Sequence, residues 1–371
     1  MECEEHLALA REAAHKSCVL LKNDGLLPLN PEKVGTIGVI GPNANNRVAL
    51  VGNYHGTASR YTTILEGIQD AVAGKGRVLY SDGCHLFKEK TEHLALDDDR
   101  LAEAVVVAKH SDTVVLVLGL DETMEGEEGD TGNAAASGDK LDLLLPAPQQ
   151  RLLDKVLAVG KPTVVLLMAG SAIDLSTAQQ KANAVMLTWY PGAGGGEAVA
   201  DLLFGKVSPS GKLPVTFYHN EALEEMPDFT DYSLENRTYR YYTGKPLYPF
   251  GYGLTYGDMV ITDLMADQQG AYVTVENRGR ATEEVVQLYL KDEASPFAPE
   301  NPVLCGFLRV SLETDEAKQL MIPIDPTALT VVNEAGQRIP GSGSWTLYAG
   351  LGQPDSRTEE LTGKKAISVK L

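Results

Sequence analysis

Residues 119–130 read Gly119-Leu120-Asp121-Glu122-Thr123-Met124-Glu125-Gly126-Glu127-Glu128-Gly129-Asp130, so the ten residues from Asp121 to Asp130 carry six carboxylates. Carboxylates this close raise one another's pKa, because each added negative charge makes the next ionisation harder, and partial burial raises it further. A carboxylic acid held protonated near neutral pH in this way can serve as a general acid. Local sequence leaves two other readings open: a solvated acidic loop, and a calcium site, since that ion takes carboxylate and carbonyl oxygens. The spacing excludes an EF-hand.

Other residues carry weaker signals. Trp189, in Trp189-Tyr190-Pro191-Gly192, offers an indole face to a sugar ring, although an aromatic beside Pro-Gly at a strand end more commonly packs. His55, between Tyr54 and Gly56, offers a hydrogen bond to a substrate hydroxyl, with a surface-loop histidine as the plainer reading. Gly194-Gly195-Gly196 matches neither a dinucleotide fingerprint nor a phosphate loop, and helix entry accounts for it. Cys3, Cys18, Cys84 and Cys305 lack metal-ligand spacing and read as free buried thiols. No cofactor and no metal are expected.

The acidic stretch follows an apolar run, Thr113 to Leu118, that reads as a buried strand. Similar runs occur at Val34 to Ile40, Thr163 to Met168 and Ala184 to Thr188, with a strand-end position at Ile173. Between them lie helical patterns at Pro148 to Val159 and Gly195 to Phe204, and residues 4 to 22 read as a helix ending in a strand-like Val19-Leu20-Leu21. This alternation predicts an α/β fold with a mostly parallel sheet covered on both faces. Ligands bind such sheets at the carboxyl ends of the strands, where the loops after Ile40, Leu118, Met168 and Thr188 would gather.

Near residue 257 the grammar changes. Tyr272 to Glu276, Val285 to Leu290, Gln319 to Ile324 and Ser344 to Tyr348 alternate with period two, and no helical pattern separates them, which predicts an all-β immunoglobulin or fibronectin type III-like sandwich. The expected division is an α/β domain over 1–220, a connecting segment over 221–256 and a β-sandwich over 257–371, docked rather than tethered. Tyr239, Arg240, Tyr241, Phe250 and Tyr252 are expected to pack between the two domains.

The chain has 371 residues, 43% hydrophobic, with a formal charge of −19. That charge repels nucleic acid and favours a neutral or cationic ligand. No apolar stretch is long enough for a membrane helix, and the first residues do not read as a signal peptide, so the chain as written is expected in the cytoplasm and off the membrane.

Taken in order, the motifs resemble glycoside hydrolase family 3 of the β-xylosidase/β-glucosidase kind, along essentially the whole chain. They are Ala8 to Leu29, Gly41-Pro42-Asn43-Ala44, Gly52-Asn53-Tyr54-His55-Gly56, Leu65-Glu66-Gly67-Ile68, Gly119-Leu120-Asp121 through Glu127, and Leu145-Pro146 with Gln149-Gln150. After these come Trp189-Tyr190-Pro191-Gly192, Gly196-Glu197-Ala198, Gly211-Lys212-Leu213-Pro214-Val215-Thr216, Tyr239-Arg240-Tyr241 and Tyr248 to Tyr256.

The resemblance implies an exo-acting retaining β-glycosidase that removes terminal xylose or glucose from an oligosaccharide or aryl β-glycoside. The acid/base would be Glu127 or Glu125, with Asp121, His55 and Trp189 as substrate-binding candidates. The aspartate nucleophile belongs, in the family, to a barrel domain that these residues do not include, so a barrel in cis or in trans is the expected partner and the chain alone is expected to be inactive. A bare, partly apolar barrel-facing surface would favour homo-oligomers. Two alternatives stand beside this reading: a non-catalytic carbohydrate-binding or interaction protein built on the same fold, and a general α/β ligand-binding protein.

Overall fold

Apolar runs of four to seven residues alternate with amphipathic segments through the first half of the chain, and in the computed structural model they become a six-stranded sheet flanked by helices. The structure describes residues 2–90, 92, 95–96, 98–126, 140–267 and 270–371. Two compact units divide the chain, 1–211 and 212–371, so the segment 221–256 belongs to the second.

The first unit runs α1 (Glu4–Ser17), β1 (Val19–Asn23), β2 (Thr36–Ile40), α2 (Ile64–Ala71), β3 (Arg77–Ser81), α3 (Leu101–Lys109), β4 (Thr113–Gly119), α4 (Ala147–Leu157), β5 (Thr163–Met168), α5 (Ser176–Lys181), β6 (Ala184–Leu187) and α6 (Gly195–Leu203). Its sheet has the order β1-β6-β5-β4-β2-β3. Every pairing is parallel except that of β1 with β6. Every residue of β4, β5 and β6 is buried, as the near-continuous Val/Leu runs of a sheet covered on both faces require. Each such side chain contributes about 2 kcal/mol of gross burial free energy, so the centre of the sheet is a rigid base for the loops that leave it.

Four elements here were not expected from the sequence. β3 is an edge strand, mostly half-buried, so it lacks an apolar run. α2 contains Gly67, a poor helix former, but Thr63 caps it: the Thr63 hydroxyl accepts from the Glu66 N–H and the Glu66 carboxylate accepts from the Thr63 N–H. A Cβ on Gly67 would lie 2.0 Å from the Gly196 carbonyl oxygen, so this glycine lets α2 and α6 touch backbone to backbone. α3 and α5 are the other two. Ile173 is fully buried but lies in a loop rather than at a strand end.

The second unit contains α7 (Thr238–Tyr241), β7 (Met259–Ala266), β8 (Ala271–Asn277), β9 (Thr282–Asp292), β10 (Val303–Leu312), β11 (Ala317–Ile322), β12 (Thr330–Val332), β13 (Arg338–Pro340), β14 (Trp345–Gly350), α8 (Ser356–Thr362) and β15 (Ile367–Lys370). Sheets β10-β9-β14-β15 and β11-β8-β7 are antiparallel, and Val273, Val275, Val286, Leu288, Ile322 and Leu347 lie in the core between them. β10 was not foreseen; its register against β9 shifts between Leu304 and Gly306, and it carries no regular alternation. α8, beyond the four expected strands, was not foreseen: Asp355 caps its start and Gly363, at φ 68°, its end, but its polar sequence has no apolar stripe. Tyr239 stacks on Phe250 at 4.1 Å, and both meet Tyr289 of β9 edge on, so this aromatic cluster packs against the β-sandwich.

Candidate active site

The loops after β2, β4, β5 and β6 do gather at the carboxyl edge of the sheet, and hydrogen bonds tie them together. The acid loop begins at Gly119, whose backbone pairs with the buried Gln149 amide of α4: Gly119 N–H donates to Oε1 at 2.8 Å, and Nε2 donates to Gly119 O at 2.7 Å. Nε2 also donates to Leu86 O at 2.7 Å. Gly119 has φ 146°, and a Cβ there would lie 1.8 Å from Met168 O, so only glycine lets β4 pass β5 and turn away. Leu120 N–H then donates to Met168 O at 2.7 Å, and Leu120 O accepts from Asn43 Nδ2 of the β2 loop at 2.8 Å.

Asp121 is buried and shapes the turn. Its Oδ1 accepts from Thr123 N–H at 2.9 Å and from the Thr123 hydroxyl at 2.6 Å, and its backbone oxygen accepts from Met124 and Glu125 N–H. Asn46 Nδ2 reaches Asp121 Oδ2 at 3.4 Å. Most of the Asp121 acceptor capacity is therefore spent within the loop and its neighbour. Asp121 also lines a cleft of about 440 Å³ between the ends of β2, β3 and β4, together with Pro42, Asn46, Asp82, His85 and Arg100. In this cleft Arg100 pairs with Asp82 at 2.9 Å, and burial lowers the His85 pKa.

Glu125, one of the two acid/base candidates, is half-buried and accepts three hydrogen bonds. Gly170 N–H donates to Oε2 at 2.7 Å, the Tyr190 hydroxyl donates to the same oxygen, and the Ser171 hydroxyl donates to Oε1. Glu125 thereby joins the loops after β4, β5 and β6. Burial, then the adjacent Glu125 carboxylate, pushes the Tyr190 phenol well up, so it stays a donor. The other candidate, Glu127, lies outside the described residues.

His55 comes to the same loop, its Nε2 3.5 Å from Glu122 Oε2 and its Nδ1 2.8 Å from Gly56 O. Trp189 is turned by a positive φ of 54°, and its indole N–H donates to Ser17 O at the end of α1 at 3.1 Å. The structure thus brings Asp121, Glu125 and, through Glu122, His55 to one loop, and ties the Trp189 indole to α1.

Tyr190 and Gln149 stood in sequence motifs without an assigned role, and Ser171 carried no sequence signal. All four cysteines are free; Cys3 is exposed and Cys84 half-buried rather than buried, and burial pushes the Cys18, Cys84 and Cys305 thiols up to about 12. Among the described residues no helix is long and apolar enough to cross a membrane.

Comparison with known proteins bears on the fold and the family. The family model for the glycosyl hydrolase family 3 C-terminal domain matches residues 18–256, and a fibronectin type III-like domain matches residues 284–352. A β-xylosidase of Formosa agariphila is 31% identical over 97% of this chain and 51% of its own length. A periplasmic β-glucosidase of Salmonella typhimurium is 32% identical over 94% of the chain and 49% of its own length.

Among solved structures, a GH3 exo-β-xylosidase (XlnD) in complex with a xylobiose aziridine activity-based probe superposes with a TM-score of 0.82 at 29% identity, over 99% of this chain and 48% of that one. A GH3 β-glucosidase from Bifidobacterium adolescentis superposes with a TM-score of 0.81 at 29% identity, over all of this chain and 54% of that one. The chain spans about half the length of the curated relatives it matches.

Proposed function

This chain belongs to glycosyl hydrolase family 3, and from that premise we propose that it supplies the acid/base half of a retaining exo-β-glycosidase acting on terminal β-linked xylose or glucose. A barrel domain, in cis or in trans, would supply the aspartate nucleophile. The observation that carries the reading is the placement of the acid loop: it leaves the centre of the sheet at the carboxyl edge, where open α/β sheets take their ligands, and is fastened there at Gly119 and Glu125.

Within that loop we assign the proton transfer to Glu127. A general acid needs an O–H free to donate to the leaving oxygen, whereas both oxygens of Glu125 are engaged by donors. In the first step the nucleophile attacks the anomeric carbon while Glu127 gives its proton to the departing glycosidic oxygen, and a covalent glycosyl-enzyme results. In the second step the Glu127 carboxylate takes a proton from water as that water displaces the nucleophile. Asp121 keeps the loop's turn, and His55 approaches it from the β2 side. The Gly52-Asn53-Tyr54-His55-Gly56 motif tilts the substrate toward xylose.

Hydrolysis of p-nitrophenyl β-xyloside and β-glucoside by the purified chain, alone and mixed with a family 3 barrel domain, tests this reading. Turnover is expected only in the mixture, with the xyloside ahead, and Glu127→Gln should lower it by a factor on the order of a hundred or more. Turnover by the chain alone, or an active mixture indifferent to Glu127→Gln, would overturn the assignment.

A further inference from the structure

We propose that Glu125 is the positioning residue of the acid loop, a carboxylate clamp with Tyr190 as its central partner, and that it transfers no proton itself; the inference rests on the reading that this loop carries the general acid. Three observations converge on it.

First, three donors from two different loops, Gly170 N–H, the Ser171 hydroxyl and the Tyr190 hydroxyl, engage both Glu125 oxygens. A backbone N–H can only donate, so Gly170 holds Glu125 Oε2 as an acceptor, and the Ser171 hydroxyl does the same at Oε1.

Second, one edge of the Tyr190 ring is closely packed. A Cβ on Gly52 would lie 2.6 Å from Tyr190 Cδ2, and one on Gly170 would lie 3.1 Å from Tyr190 Cε2 and 3.2 Å from Glu125 Oε2. The Cδ2–Cε2 edge of the ring thus packs against two glycines from the β2 and β5 loops, which admit it because they lack side chains.

Third, a cation beyond the acid loop senses the Glu125 charge. Lys140, the first described residue beyond it, feels the negative charge of Glu125, although burial dominates and lowers the Lys140 pKa. Among the described residues, Tyr190 and Lys140 couple electrostatically to Glu125, and Tyr190 also to Asp121. Glu125 stands two residues before Glu127 in the chain, so fixing the one limits the reach of the other.

The test has two independent arms. In the chain alone, Glu125→Gln and Tyr190→Phe should each speed amide exchange in residues 120–126 and 169–171 on the order of tenfold, with β2 unchanged. Unchanged exchange in both variants overturns the clamp. In the chain mixed with a barrel domain, Glu125→Gln should lower kcat/KM about a hundredfold for good and poor leaving groups alike. It should keep the basic limb of the pH profile and show no rescue by azide.

Glu127→Gln should instead lose the basic limb, retain turnover of a dinitrophenyl xyloside and be rescued by azide. Azide rescue of Glu125→Gln, or loss of its basic limb, would make Glu125 the acid and sink the proposal. A wild-type mixture without activity would count against the proposed glycosidase function, and the exchange arm would still decide the clamp.

Discussion

Gln149 and Gly119 exchange a pair of hydrogen bonds, at 2.8 and 2.7 Å, in which a fully buried side-chain amide takes the place of a neighbouring strand's peptide group. The β4 strand ends at Gly119, and the acid loop starts there. Without that amide the turn would hold two unpaired backbone groups in the interior, and Leu86 O would be a third.

Replacing Gln149 by leucine keeps the volume and removes all three bonds. Each orphaned buried group costs about 1–3 kcal/mol, so the first unit should lose about 3 kcal/mol or more. Urea unfolding followed by circular dichroism measures this, and a loss below 1 kcal/mol would mean that water satisfies the site.

A second clamp sits in the β unit. Lys212 Nζ lies 2.7 Å from Glu284 Oε1 and donates to Gly253 O at 2.7 Å and Leu351 O at 3.0 Å, with the two side chains 10% and 4% exposed. Lys212→Met strands a buried carboxylate and should cost about 3–5 kcal/mol. Adding Glu284→Leu should return part of that loss, and a double variant less stable than the sum of the two single changes would contradict the pairing.

The α2 cap offers a smaller and cleaner effect. Thr63→Ala removes the capping hydroxyl and should cost about 1 kcal/mol, whereas Thr63→Ser should cost a few tenths. Equal losses in the two variants would show that the methyl group matters and the hydroxyl does not.

Acid should weaken the first unit at the contact of α1 with α6. Burial lowers the His15 pKa more than nearby Asp201 raises it. Burial raises Asp201, but hydrogen bonds from Arg11 and Lys206 outweigh it and leave Asp201 lowered. For both groups the unfolded chain binds more protons than the folded one, so stability falls as the pH is lowered. The His15 part should be lost as pH drops through the ordinary histidine range toward 5, and the Asp201 part only below the ordinary aspartate range. Urea midpoints at pH 7 and pH 5 should converge in His15→Gln, and an undiminished difference would assign the effect to another group.

Much of the fold was legible because period and composition report burial directly. The Val/Leu runs of β4, β5 and β6 are apolar throughout because both faces of the sheet are covered. The alternation of β8 marks one face turned to the core. Carboxylate density, too, is a property of the chain itself, and it pointed to residues 121–130 before any coordinates.

The tertiary structure decided what the motif residues are for. Gly67 and Gly196 read as a sequence pattern, but their reason is the contact between two helix backbones. Lys212 and Gln149 stood in motifs with no visible purpose, because their partners, Glu284 and Gly119, lie 72 and 30 residues away in the chain. The proposed assignment of the proton to Glu127 rather than Glu125 follows the same logic. Residue type makes both equally fit to carry a proton, and it is the donors from Gly170, Ser171 and Tyr190, assembled only by the sheet's strand order, that occupy one of them. A sequence reports which chemistry a side chain can do; which partner it meets depends on contacts between residues far apart in the chain, and only the folded sheet makes those.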